Sequence, residues 1–307
     1  MRAGWPRVQS GGSGRAGSGF DSHPRLRFAE SAHDLPPNSS TMHRFFVPGI
    51  QDTDVEVQLP EAEARHASRV LRIQPGEIIL LLDGSGGEHL GDVTAVGRRD
   101  LVMRLTEHRH QSPRPCEITL VQAVAKGPAM EGLLHRAVEL GCSRLVPLVS
   151  ERSVSRPDAP ALKQERWQAL AIEAAKQSGN PWLMTVETPI TPAEWLRQPR
   201  RHELILVASL EHTAQHPHLP LLDHFQRTGN PPRSAAVLIG PEGDFSPAEY
   251  GAFRAAGAQP ITLGPHVLRV ETAATAVLAI LASGIAGLCG ERPTTMQSGQ
   301  ESSVRTA

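Results

Sequence analysis

Apolar positions in the second half of the chain follow two alternating periods. Short aliphatic runs at 117–125, 144–149, 204–208, 235–239 and 260–263 predict strands, most of them closed by a turn-forming cluster. Between them the spacing becomes helical. Segment 128–140 sets Met130, Leu133, Leu134 and Ala137 on one face and stops at Gly141, while 161–178 turns Trp167, Leu170, Ala171 and Ala174 toward a sheet. Ser246-Pro247-Ala248-Glu249 supplies a capping box with proline at the first helical position, and Gly257 ends that helix. A long, almost wholly apolar helix is predicted over 271–288. Strands alternating with helices predict an α/β fold with a mainly parallel sheet covered on both faces.

The first half reads differently. Runs at 77–82, 89–96 and 101–106 are β-rich and separated by the turns Asp83-Gly84-Ser85-Gly86-Gly87 and Gly97-Arg98-Arg99-Asp100, which predicts a small barrel or curled sheet. Segment 60–72 predicts a helix with Ala64, Ala67, Val70 and Leu71 on one side. Pro113-Arg114-Pro115 marks the boundary between the two regions, since prolines impose an extended linker.

Two strand ends carry the candidate chemistry. The run 235–239 stops at Gly240-Pro241-Glu242-Gly243, and 260–263 stops at Gly264-Pro265, followed by Arg269-Val270-Glu271-Thr272 at the mouth of the last helix. Ligands in open α/β sheets sit outside the carboxyl ends of strands, so two such turns in succession suggest one crevice lined by main-chain groups.

Composition narrows the class. The chain has 307 residues, 39% hydrophobic and 21% charged, which fits about two soluble domains. A net charge of −1 supplies no global attraction to nucleic acid, so RNA affinity must come from local patches, the densest being Arg104, His108, Arg109, His110 and Arg114. Cys116, Cys142 and Cys289 stand far apart, as reduced thiols of a cytoplasmic protein would. The uncharged run 272–288 falls short of the ~20 residues of a membrane-spanning helix and reads as buried or subunit-facing; no membrane partner is expected. His212, His216 and His218 lack a spaced acidic or Cys partner, and Pro217 is expected to break any helix there, so a solvated loop and no metal are predicted. No P-loop pattern occurs. Gly12-Ser13-Gly14-Arg15-Ala16-Gly17 matches a dinucleotide pattern without the strand and helix that would give it meaning.

LIGPEGDF followed by LGPHVLRVETAA resembles the paired cofactor loops of the RsmE-type 16S ribosomal RNA uridine N3-methyltransferases, which belong to the SPOUT class. KGPAMEGLLHRAVELG, SERSV and ERWQALAIEAAKQSG follow the same family's order, and the likeness covers roughly 42–288. It implies a SPOUT-like sheet with a C-terminal trefoil knot at 116–289, preceded by a PUA-like RNA-binding β-barrel at 42–112. Residues 1–41 and 290–307 are then a disordered extension and tail. The extension reads either as translation assigned upstream of a true start at Met42, where MHRFFV resembles the family's N-terminus, or as a targeting peptide.

The resemblance further implies S-adenosylmethionine as methyl donor without a metal, 16S RNA or the small ribosomal subunit as partner, and a homodimer through the C-terminal domain. Leu238, Ile239, Gly240, Pro241, Glu242, Gly243, Leu263, Gly264, Val267, Leu268 and Thr272 would surround the donor. Arg269 would neutralise the uracil oxygens, and Glu271 would orient Arg269 or accept a proton; the alternative is that Glu271 complements the helix dipole and Arg269 closes an ion pair. Arg44, Arg69, Arg72, Lys126 and Arg152 are the RNA-binding candidates. The chain departs from the family at Asp244, in place of a usual glycine, which bears on the tightness of that loop. His266 and Asn180, in place of arginines, remove positive charge.

Overall fold

The computed structural model describes residues 42–155, 158–199 and 202–290. The extension 1–41 and the tail from 291 onward, expected to be disordered, lie outside the described residues.

The N-terminal domain is one five-stranded sheet, formed by β1 (Arg44–Phe46), β2 (Glu56–Gln58), β3 (Ile78–Leu82), β4 (Gly87–Val96) and β5 (Leu101–His110). Its order is β1-β3-β4-β5-β2, with β1 and β3 parallel and the other pairs antiparallel. Alternation along β3, β4 and β5 sends Ile79, Leu81, Val93, Leu101 and Met103 inward around Phe45. The predicted helix 60–72 begins as α1 (Glu61–His66) and widens into a π-helical turn, Ala67–Leu71, which ends at Arg72 in the left-handed region with φ 58°. Ala64 and Ala67 pack that helix onto the sheet core. Two short edge strands, β1 and β2, were not legible as periods because three residues are too few to show one.

The C-terminal domain holds a six-stranded sheet in which every pair is parallel. Its strands are β6 (Glu117–Ala123), β7 (Arg144–Leu148), β8 (Thr185–Val186), β9 (Leu204–Ala208), β10 (Ser234–Ile239) and β11 (Gln259–Ile261), in the order β11-β9-β10-β6-β7-β8. Alternation divides β10: Ala235, Val237 and Ile239 face one core, Ala236 and Leu238 the other. On the first side lie α2 (Gly127–Glu139), α3 (Pro160–Ser178), α5 (His218–Thr228) and α7 (Val270–Cys289); on the second lie α4 (Pro192–Arg197) and α6 (Pro247–Ala255). The capping box predicted at Ser246 is present, Ser246 Oγ accepting from Glu249 N at 3.3 Å and Glu249 accepting from Ser246 N at 2.8 Å.

One expectation is corrected here. His212–His218 is not wholly loop, because Pro217 takes the N-cap position of α5 and His218 begins it. Proline is compatible with a helix start, where an amide donor is not needed, and breaks a helix only in its interior. His216 and His218 face each other through their Nδ1 atoms at 2.5 Å.

The two domains are joined by buried polar contacts. Lys176 of α3 donates to Glu63 of α1 at 2.9 Å and to Glu173 at 2.7 Å. Burial opposes its charge, but the two carboxylates outweigh that and raise its pKa. Arg114 donates to the carbonyls of Cys142 (3.3 Å) and Trp182 (2.5 Å) and to Asn180 Oδ1 (3.3 Å), while Asn180 Nδ2 donates to Val138 O at 2.9 Å. His110 packs edge-on against Trp182 at 5.6 Å. The expected basic patch is therefore dispersed: Arg114 is half-buried in the joint, Arg109 pairs with Glu107 and Arg104 with Asp92. Asn180 is a structural hub at this joint.

Candidate functional site

The two glycine-proline turns meet. A cavity of ≈ 330 Å³ opens at the carboxyl ends of β9, β10 and β11 and is closed by the first turn of α7. Of the residues expected around a donor, Ile239, Gly240, Pro241, Glu242, Leu263, Gly264, Val267 and Leu268 line it, and so does Arg269. Leu238, Gly243, Thr272 and Glu271 do not. Leu238 points to the opposite sheet face, in the cluster of Phe245 and Phe253, because adjacent strand residues alternate. Gly243 turns toward Arg152, and Thr272 is exposed on α7. Glu271 sits in the first turn of α7 and is absent from the lining, where its carboxylate complements the helix N-terminus.

Sequence reasoning missed Ala208, Ser209 and Leu210. They line the cavity because β9 lies between β10 and β11, so a third strand end enters the crevice. Asp244 and His266 also line it.

Asp244 explains how the first turn keeps its shape without the expected glycine. Its φ of 62° lies in the left-handed region, which costs most side chains about 1–2 kcal/mol. The short carboxylate compensates locally, accepting from Phe245 N at 2.8 Å and lying 2.7 Å from the hydroxyl of Tyr250. That hydroxyl also lies 2.9 Å from Ala208 O, so one tyrosine on α6 ties the turn after β10 to the end of β9. Burial, followed by the Asp244 carboxylate, raises the Tyr250 pKa and keeps the hydroxyl a donor. Asp244 N donates to Pro241 O at 2.9 Å, closing the turn.

A second support comes from the loop after β7. Arg152 donates to Gly243 O at 3.2 Å and Glu151 N to Glu249 Oε1 at 2.8 Å, so this loop braces the turn and the helix behind it. Among the other RNA-binding candidates, Arg44 reaches the carbonyls of Lys176 and Gln177 at 3.5 and 3.4 Å, at the C-terminal end of α3. Arg69 and Arg72 are exposed on and after the π-helical turn, and Lys126 is exposed at the N-cap of α2. Of the residues offered for RNA, Arg152 touches a cavity loop.

The cavity walls are apolar (Ile239, Ile261, Leu263, Leu268), with polarity supplied by main chain and a few side chains at the rim. Arg269 makes no side-chain cap at the start of α7, so the amides of that first turn remain an anion-favouring end beside the cavity. Such a lining suits a ligand with both apolar and polar parts.

Comparison with known proteins agrees with this architecture. The family described as "RNA methyltransferase domain" matches residues 112–282 and the "RNA methyltransferase PUA domain" matches 59–107, which defines the class as a two-domain RNA methyltransferase. The ribosomal RNA small subunit methyltransferase E of Synechocystis sp. is 33% identical over 243 residues, 77% of this chain and 76% of that protein. Its namesake in Aquifex aeolicus is 30% identical over 73% of this chain and 92% of that protein. The chain belongs to the ribosomal RNA small subunit methyltransferase E family. Among solved structures, the Neisseria gonorrhoeae enzyme of that name bound to S-adenosyl methionine is similar with a TM-score of 0.69 at 30% identity, covering 79% of this chain and 98% of that one. A putative methyltransferase of Legionella pneumophila, in complex with the same cofactor, gives 0.71 at 28% identity with the same coverage.

Proposed function

We propose that this protein methylates N3 of a uridine in 16S ribosomal RNA, with S-adenosylmethionine as methyl donor. The observation that carries the reading is the single cavity formed by three strand ends and the start of α7, in a chain of this family. When bound, the donor supplies a methyl group already activated by a sulfonium, so no metal is needed for that step. Ile239, Leu263 and Leu268 would hold its apolar parts, and the main chain at Gly240 and Gly264 its polar edges.

The remaining work falls to this chain's own residues. Uracil N3 carries a proton and is a weak nucleophile until that proton leaves. Arg269 would neutralise the charge that spreads to the flanking carbonyl oxygens, assisted by the uncapped amides of α7. His266 lines the cavity and offers a ring nitrogen as proton acceptor. Glu271, off the lining, would act on Arg269 or on the helix terminus. Arg152 would hold the turn at Gly243, and Arg69, Arg72 and Lys126 would meet the RNA backbone.

A homodimer, the knotted threading of the C-terminal segment and a cytoplasmic location belong to the same reading. Helix α7 has a mean hydropathy of 1.9 and is long and apolar enough to cross a membrane, yet Val277, Leu278, Leu281 and Ile285 pack it into the core against α2 and α5. A second copy would cover its remaining apolar face. A single-chain mass by light scattering would count against that.

The test is nucleoside mass spectrometry of small-subunit RNA from a strain lacking the gene. Loss of 3-methyluridine from that RNA alone supports the reading; an unchanged level, or loss of a different methylated nucleoside, overturns it.

A further inference from the structure

The wall of the N-terminal domain carries a group of side chains that methyl transfer does not use. His89 of β4 and His108 of β5 stand directly opposite each other in the strand register, with their Nδ1 atoms 2.9 Å apart and their rings edge-on at 5.1 Å. Asp52, in the loop between β1 and β2, closes the group: one ligating atom from each of the three lies within 4.8 Å of the other two. Among the described residues it is the one set of three such side chains so arranged.

His89 is buried, with 2% exposed, and its Nε2 has no hydrogen-bond partner. That nitrogen lies 3.8 Å from Oδ2 of Asp83. Asp83 is itself fixed, accepting from Ser85 N at 2.7 Å, from the Ser85 hydroxyl at 2.7 Å and from Gly87 N at 2.8 Å. A carboxylate behind one ring nitrogen, with the other ring nitrogen turned to a shared point, is the arrangement that orients a metal-bound histidine. Without an ion, the pair is served by one proton between two nitrogens while Nε2 stays unsatisfied.

We propose that Nδ1 of His89, Nδ1 of His108 and a carboxylate oxygen of Asp52 bind a divalent transition-metal ion of the zinc class, with Asp83 holding His89 from behind. Metal–nitrogen bonds of about 2.0–2.1 Å in tetrahedral geometry set two nitrogens about 3.3 Å apart, so the pair needs to open by only a few tenths of an ångström. Two imidazoles and one carboxylate leave a fourth position for water and favour zinc, cobalt or nickel over magnesium or calcium. The ion would pin the loop between β1 and β2 to the β4–β5 ladder, two residues along β5 from the His110–Trp182 contact. It would act as a staple for the N-terminal domain, independent of methyl transfer.

The test uses the full chain without an affinity tag, stripped with a chelator and titrated with Co²⁺ alone. The expected result is saturation at a single equivalent, with visible absorption bands that Zn²⁺ then displaces. His108→Ala and Asp52→Asn alter side chains at the solvent side and should abolish those bands while circular dichroism stays unchanged. Asp83→Asn should weaken affinity about 10–100-fold. The pair His216→Ala, His218→Ala should leave the bands intact, which separates this site from the other close histidine pair. Absence of saturable absorption, or bands that survive His108→Ala or vanish with the His216/His218 variant, would overturn the proposal. None of these readouts depends on whether the protein methylates RNA.

Discussion

Tyr250→Phe should reveal how far the cavity proposed for the donor depends on one hydroxyl. The substitution keeps the ring that packs between Phe245 and the sheet, and removes only the group that lies 2.7 Å from Asp244 Oδ1 and 2.9 Å from Ala208 O. A hydrogen bond to a charged acceptor contributes about 1.5–3 kcal/mol. The Asp244 carboxylate would then be held by Phe245 N alone, while the residue bears a strain of about 1–2 kcal/mol. If the whole loss reached binding, affinity would fall about 10–100-fold, since 1.4 kcal/mol is tenfold. Asp244 is half-exposed and keeps one bond, so the expected loss of S-adenosylmethionine affinity is about tenfold. The diagnostic is the same substitution made in an Asp244→Gly background. Glycine adopts the left-handed conformation without strain and offers no carboxylate, so Tyr250→Phe there should cost no more than about threefold, from the neutral bond to Ala208. Isothermal titration of the wild type, both single variants and the double variant measures the coupling. Equal losses in the two backgrounds would show that the hydroxyl does not act through Asp244.

Arg269→Ala should leave donor affinity nearly intact and lower single-turnover methylation by about 100-fold, as loss of a charge-stabilising donor does; equal loss of both would make it part of the scaffold. Burial pushes the Cys116 thiol up to about 12 and the Cys142 thiol up to about 11, from 9.0 in the unfolded chain. The fold therefore favours the neutral thiols: their contribution is fully present below pH 9 and is lost as pH rises from there to about 11–12. Denaturant titrations at pH 8 and 10.5 should show that decline, and alanine at both positions should reduce it; an unchanged slope would refute the assignment. Lys176→Met strands Glu63, of which only 13% of the side chain is exposed, and should destabilise the protein by about 3–5 kcal/mol. Adding Glu63→Gln should recover a large part of that in urea melts, and failure to recover any would remove the ion pair from the account of the joint.

What the sequence showed and what it concealed divide along one physical line. Periods, caps and glycine-proline turns are local, and from them came the strands at 204–208 and 235–239, the box at Ser246 and both cavity loops. Strand order is not local: nothing in Leu204–Ala208 indicates that β9 inserts between β10 and β11, so Ser209 carried no signal of its place in the cavity. Asp244 looked like a departure because the tyrosine that compensates it stands on the next helix. The box at Thr191 and Glu194 was legible by the same rule as Ser246, yet it opens only a six-residue helix beside a two-residue strand, too little apolar pattern to stand out. The arginines were hardest to read. Charge on a sequence suggests an outward partner, but a guanidinium with five donors serves main-chain carbonyls equally well. Arg44 meets the end of α3, Arg114 the carbonyls of Cys142 and Trp182, and Arg152 the carbonyl of Gly243. Arg44 and Arg114 hold the joint beside α3, and Arg152 holds a cavity turn. Of the cations proposed to meet RNA, Arg69, Arg72 and Lys126 are exposed, so on that proposal neutralising these three should weaken RNA binding and its salt dependence while leaving donor affinity unchanged.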